Sequence, residues 1–313
     1  MKLATTTTDF TGFGGYRYST SEAMRYIHQS GFRYLDYGFS YGNPEGVFTD
    51  EWEEYINGIK ETAKELSMEF VQAHAPMSPS PTAPVEKDNT AFIADNIRCI
   101  QCCAELGIDR IVVHSGFKKG LTKDDTFELN RKFYLEILKA AEEYGVNILT
   151  ENHTQMHHES GVYWTDSAKD ILELIEFVDH PLFHVCWDIG HANTTRVPQD
   201  ESLRTLGKHV YALHVQDNAG IEHPNFGYPD THIAPLFGSV NFDMIMNALI
   251  EIGYNGAFTL ETAVFFLYHN YKVKYEKDKR LTKPLPLDIK LHAEELLYKI
   301  SRYILESYDC FEG

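Results

Sequence analysis

Basic side chains are in short supply. The chain of 313 residues holds 28 Lys and Arg against 46 Asp and Glu, a formal net charge of −18. Gripping a phosphate backbone takes clustered positive charge, so nucleic acid is not expected as a partner. The acidity reads first as solubility. Long apolar runs are missing too. No stretch approaches the ~18 residues of a membrane span, and MKLATTTTDF at the N-terminus lacks the apolar core of a secretory signal. A membrane partner is not expected, and a cytoplasmic location is. Cysteines number five: Cys99, Cys102, Cys103, Cys186 and Cys310. The set is odd and three of its members cluster. Its CxxC spacing has no second pair, so these are expected to be reduced structural thiols. Glycine-rich phosphate loops are absent as well, with no GxGxxG or GxxxxGK[ST] behind any strand candidate. TGFGGY at 11–16 lacks that spacing and reads as a turn. No organic cofactor is expected.

What the chain does contain is a regular alternation. Apolar runs of strand length fall at 2–7, 34–39, 69–75, 110–115, 147–152, 184–189, 210–215 and 257–262. Helical patterns lie between them. One covers 49–66, with Thr49 or Asp50 as its cap. Others cover 89–106, ending at Gly107, and 123–144, ending at Gly145. Thr165 or Asp166 would cap a helix running to Val178, and Asn241 or Asp243 starts one that stops at Gly253. Eight strands, each with a helical connection, fit an α/β architecture of the (β/α)8 TIM barrel type better than an open doubly wound sheet. The expectation is a single domain over 1–313, with a long loop at about 265–287 and a C-terminal helix at about 288–306. Connections at 75–88, 217–240 and 265–287 are long, and the last two are candidate covers of an active site.

Strand ends carry the chemistry. In such a barrel they converge on one mouth. Strand three ends in His74, strand four in His114, strand five in Glu151 and His153. Strand six, CWDIGHAN, runs from buried-looking residues straight into Asp188 and His191. Strand seven ends in His214 and Asp217, strand eight in Glu261, and Asp230-Thr231-His232 follows strand seven. A buried carboxylate is costly unless paired or bound to metal. Imidazoles and carboxylates together suit one divalent ion, Mn, Zn, Co or Fe. Glu151 and Glu261 lie across the mouth, with Asp188 and His214 on the strands between. Such a cage leaves room for substrate oxygens, and two facing glutamates can take and return a proton.

These segments resemble the xylose isomerase-like barrel superfamily, in particular its sugar phosphate isomerase/epimerase branch. The resemblance runs over about residues 1–263. Its most specific pieces are Glu151 in LTENH, Asp188 and His191 in CWDIGH, His214 in LHVQD, Glu261 in FTLET, and DTHIAPLFGSVNF. It implies a divalent-metal-dependent isomerase or epimerase acting on a sugar or sugar-phosphate hydroxy-ketone. Glu151, Asp188, His214 and Glu261 would bind the metal, and the two glutamates would be the catalytic acid–base pair. His191 would contact substrate, and His74, His114, Asp230 and His232 are further substrate-binding candidates. One departure stands out. Epimerases of this branch often carry an arginine shortly after the strand-seven histidine, where this chain reads Asp217-Asn218-Ala219-Gly220.

Other readings stay open. A polyol (inosose-type) dehydratase uses the same parts. Apurinic endonucleases share the barrel and hold three zincs, and the nine positions just named match their ligands by residue type. The acidity and the lack of Lys or Arg in 38–45 and 76–84 speak against phosphodiester substrates. A binding protein without activity would have lost ligands that are present here. Lys118 and Lys119 could meet a substrate phosphate, and Phe39, Tyr41 and Trp52 could wall a sugar pocket. One of His153, His157 and His158 could orient Glu151. If the lysine-rich stretch 272–283 reaches over a neighbouring mouth, the protein is a homo-oligomer.

Overall fold

A computed structural model describes residues 1–12, 16–39, 46–76, 82–154, 164–220, 230–262 and 286–313. The eight strands are β1 (Leu3–Thr6), β2 (Tyr34–Gly38), β3 (Glu69–His74), β4 (Arg110–Val112), β5 (Asn147–Glu151), β6 (Phe183–Asp188), β7 (Val210–His214) and β8 (Phe258–Leu260). They pair in parallel in the order β7-β6-β5-β4-β3-β2-β1-β8. The two ends meet where the Val215 amide donates to the Thr259 carbonyl at 2.8 Å and the Glu261 amide to the Val215 carbonyl at 3.0 Å. This is the expected barrel. Seven of the eight strand candidates contain a strand, and the eighth, 184–189, overlaps β6, which begins one residue earlier at Phe183.

The helices form where local chemistry caps them. After β1 come α1 (Thr8–Thr11) and α2 (Thr20–Gln29), the latter opened by a Ser19–Glu22 capping box. Then follow α3 (Trp52–Leu66), α4 (Thr90–Leu106) and α5 (Lys123–Tyr144), whose capping box pairs Thr122 with Asp125. Gly107 and Gly145 end α4 and α5 at φ 73° and 70°, a left-handed turn that favours glycine. Two cap expectations are corrected. Thr49 and Asp50 lie in a turn ahead of α3, with the Thr49 hydroxyl bonded back to Gly46. Ser167, not Thr165 or Asp166, caps α6 (Ala168–Val178), because its side chain meets the Asp170 amide. Of the two starts expected for the next helix, Asn241 is the cap of α9 (Phe242–Glu251). Between them, α7 (Ile189–Thr195) and α8 (Gln199–Leu206) fill the β6–β7 connection, and α10 (Leu287–Ser307) closes the chain.

Apolar faces of strands and helices share one core that includes Trp187, Tyr134, Phe133, Phe183 and Phe258. Inside the barrel the small set Val112, Leu149, Cys186 and Ala212 forms a separate floor beneath the mouth. All five cysteines are free, and four are buried. Among the described residues no helix is long and apolar enough to cross a membrane. Tyr41, His157, His158 and the stretch 272–283 lie outside the described residues, as does most of the expected 265–287 loop.

Candidate metal centre

Parallel strands of matched register bring their last residues to one level. Glu151 pairs in register with Cys186, and Asp188 with His214. That register produces the central group. Ligand atoms from Glu151, Asp188, His214 and Glu261 all lie within 4.8 Å of one another. His214 Nδ1 stands 2.9 Å from Glu151 Oε1 and 3.5 Å from Glu261 Oε2. Glu151 is 1% exposed, whereas the Glu261 side chain is 18% exposed.

Around this group lie two more clusters. His74 Nε2 and His114 Nε2 are 3.1 Å apart and face Glu151 Oε2 at 3.6 and 2.8 Å. On the other side His191, Asp230 and His232 converge, with His191 Nε2 at 3.3 Å and His232 Nε2 at 3.2 Å from Asp230 Oδ2. His191 is also tied down by its other nitrogen, 2.8 Å from the Asn152 carbonyl. All nine site candidates named from the sequence therefore meet in one mouth.

The electrostatics are uneven. Burial raises Glu151, but the imidazoles of His214 and His114 outweigh it and hold the carboxyl well below its usual range. Asp230 is also held well below by His232 and His191 against burial. Burial opposes charge on His191, yet Asp188 and Asp230 keep it well above an ordinary imidazole, and Asp230 likewise carries His232 up to about 10. Asp188 differs. Burial pushes it up to about 7, and Glu151 and Glu261 add to that push against the pull of His191. Its Oδ1 accepts the His191 amide at 2.6 Å, while its Oδ2 is buried with no hydrogen-bond donor. Three carboxylates crowd the single imidazole of His214, and one oxygen is left over. A divalent cation would supply the missing positive charge, and mixed O/N donors suit it. The four residues fit such an ion.

Several site residues escaped the reading of strand ends. Gln216 is fully buried and donates to Asp188 Oδ1 at 3.3 Å and Asp230 Oδ1 at 2.9 Å, so one amide joins two clusters. Gly190 makes room for it, since a Cβ there would lie 2.0 Å from the Gln216 amide carbon. Asn152 bridges β5 to β6 through both backbone groups of Asp188, at 2.6 and 2.8 Å. Asp36 stands behind His214, its Oδ2 3.6 Å from Nε2. Only Asp36 had a sequence signal, a lone carboxylate inside the apolar run YLDYG.

Other candidates fall elsewhere. Asp217 accepts the amides of Asn218, Gly238 and Val240 at 2.8–3.1 Å and so pins the loop after β7. Lys118 pairs with Glu86, and Lys119 is exposed. Phe39 is buried against Tyr37, and Trp52 lies under the Arg98 guanidinium, so both pack the fold. His153 is buried with its ring edge-on to His114, 4.6 Å between centroids.

Comparison with known proteins now bears on this barrel. The family described as xylose isomerase-like TIM barrel matches residues 24–272. The chain belongs to this family. An uncharacterized protein, MJ1311 of Methanocaldococcus jannaschii, is 29% identical over 212 residues, 66% of this chain and 68% of that one. The D-psicose 3-epimerase of Ruminiclostridium cellulolyticum is 23% identical over 219 residues, 67% and 68% of the two chains. A crystal structure of D-psicose 3-epimerase in the presence of D-fructose superposes with a TM-score of 0.75 at 17% identity, covering 97% of this chain and 99% of that one. The IolI protein with a bound zinc atom gives 0.72 at 16% identity, covering 100% of both.

Proposed function

We propose that this chain is an isomerase or epimerase of a sugar-type hydroxy-ketone, phosphorylated or free, and that Glu151, Asp188, His214 and Glu261 hold one divalent ion. The observation that carries this reading is the four-residue group itself, with two glutamates on β5 and β8 around one imidazole and a leftover Asp188 oxygen. Its family and its epimerase relative support the same class. When bound, the ion would act as a Lewis acid toward a carbonyl and a neighbouring hydroxyl, making the C–H beside them acidic.

The side chains divide the remaining work. Glu261 is the more open carboxylate, so it takes the proton from carbon. The electron pair moves onto the carbonyl oxygen and leaves an enediolate. A proton relayed by His114, whose Nε2 stands 2.8 Å from Oε2, passes through Glu151 to the other face, so that carboxylate is ionised between turnovers. His191 holds a substrate oxygen from a ring fixed by Asn152, and His232 and Asp230 flank it.

The test is solvent exchange. The protein loaded with Mn or Co is incubated in D2O with a panel of ketoses, and the sugars are read by NMR. Deuterium should enter at the carbon beside the carbonyl. Glu261→Gln should cut incorporation by about 10²-fold or more, the usual weight of a general base. A metal-loaded protein that exchanges no member of a panel of ketoses and ketose phosphates would defeat the reading.

A second reading has its own observation. The His74–His114–Glu151 and His191–Asp230–His232 clusters are further converging donor sets, enough for three ions. Phosphodiester hydrolysis would then be the chemistry, and metal stoichiometry separates the two.

A further inference from the structure

Behind the site, away from the mouth, four buried side chains from four strands form a file. The Thr259 hydroxyl on β8 donates to Gln72 Oε1 on β3 at 2.9 Å. Gln72 Nε2 donates to Asp36 Oδ2 on β2 at 3.2 Å. That same oxygen faces His214 Nε2 on β7 at 3.6 Å. None of the four is more than 2% exposed. We propose that Asp36 is a positioning residue that fixes the His214 ring, with Nε2–H toward Asp36 and Nδ1 toward the ligand group, and that Gln72 and Thr259 aim it.

Several points support this. Asp36 is an expensive group to bury. Its Oδ1 has no hydrogen-bond donor, and the Gln72 amide alone does not offset the burial of a carboxylate. His214 Nε2 is likewise buried and short of a partner at hydrogen-bond length, and Asp36 Oδ2, 3.6 Å away, belongs to that same under-satisfied carboxylate. They are complementary in sign, because an imidazole Nε2–H needs an acceptor and a carboxylate accepts. Gln72 cannot be reversed without cost. Turned over, its oxygen would face the carboxylate, a repulsion that the Thr259 hydroxyl, able to accept as well as donate, could not offset. Asp36 thus sets which way Gln72 lies, Thr259 anchors the Gln72 oxygen, and the Asp36 oxygen so held faces the imidazole. A histidine whose far nitrogen is held by a carboxylate binds metal more tightly through the near one. Register fits this role, since Asp36 and Gln72 are paired neighbours on β2 and β3.

The inference rests on the reading of His214 as a metal ligand, and the experiment separates the two. Co²⁺ is titrated into metal-free protein and followed by its visible absorption, with urea unfolding of each metal-free variant alongside. Asp36→Asn should weaken Co²⁺ binding about 10- to 100-fold. Thr259→Val, close in shape, should give a smaller loss in the same direction, with the urea midpoint near that of the wild type. In the zinc-loaded wild type a slowly exchanging Nε2–H of His214 should appear by ¹⁵N NMR, and Asp36→Asn should lose it. Wild-type Co²⁺ affinity in both variants, or in Thr259→Val if Asp36→Asn does not fold, overturns the relay and leaves the metal site standing. A wild type that takes up no Co²⁺ overturns the site, and the relay with it.

Discussion

Asp188 and Asp230 are both buried beside His191, yet they move in opposite directions. Asp230 has His232 and His191 on one oxygen and stays ionised, whereas Asp188 sits with two glutamates and is pushed up to about 7. Neighbours, not residue type, decide the charge state. The same rule acts at the opposite end of the barrel. His184 is held down to about 4, chiefly by burial and then by His209. Unfolded, it would titrate near 6.5, so the unfolded chain takes up a proton first as pH falls. The stability tied to neutral His184 is complete above about 6.5 and is lost between 6.5 and 4, by up to about 3 kcal/mol. His184→Phe keeps a ring against Tyr211, which stacks on it at 3.5 Å between centroids, and removes the titration. Urea unfolding at pH 7 and pH 4.5 should show a larger acid loss in the wild type than in the variant. Equal losses would place the acid sensitivity in other groups.

Helix α10 is held to the start of the barrel by charge as well as by apolar packing. Lys290 Nζ sits 2.9 Å from Glu294 Oε2 and 5.0 Å from the centre of the Phe10 ring, and Asp9 on α1 is buried beside them. Burial, and then Glu294, push Asp9 well above the ordinary carboxylate range, against the pull of Lys290. Lys290→Met strands Glu294 and should cost about 3–5 kcal/mol in urea unfolding. Asp9→Asn relieves the crowding of Glu294 by a second carboxyl and should cost clearly less than Lys290→Met in the same measurement. Similar large losses in both would mean that Asp9 is itself an ionic partner of Lys290. The pair also shows what a sequence displays of an element and what it hides. Periodicity placed a helix at 288–306, within a residue of Leu287–Ser307 at each end, because that signal is local. Lys290 and Glu294, four apart, look like a solvated surface pair. Their burial depends on Asp9, near the other end of the chain, and no local pattern carries that. Gln216 and Gln72 stayed hidden for the same reason, since a glutamine gains meaning only from partners across the barrel.

At the scale of the molecule, the barrel was legible because eight apolar runs and their helical spacers repeat. The mouth was legible because strand ends share one level in that architecture. How many ions the mouth holds was not legible, since residue type suits one centre or three, and the structure sharpens the question. Glu151 faces the His74–His114 pair with one oxygen and His214 with the other, so it can serve one ion or two. Protein purified without chelator or metal-binding tag, measured by elemental analysis, should carry about one divalent ion per chain. A ligand bound at 100 times its Kd stabilises a fold by about 2.7 kcal/mol, so stripping that ion should lower the thermal midpoint, and adding it back should restore the midpoint. His191→Ala should keep the ion, because His191 lies outside the group of Glu151, Asp188, His214 and Glu261. Three ions per chain, with one lost in His191→Ala, would instead show that the Asp230–His232 cluster binds metal in its own right. The chemistry to assay would then be phosphoester cleavage, not proton transfer at carbon.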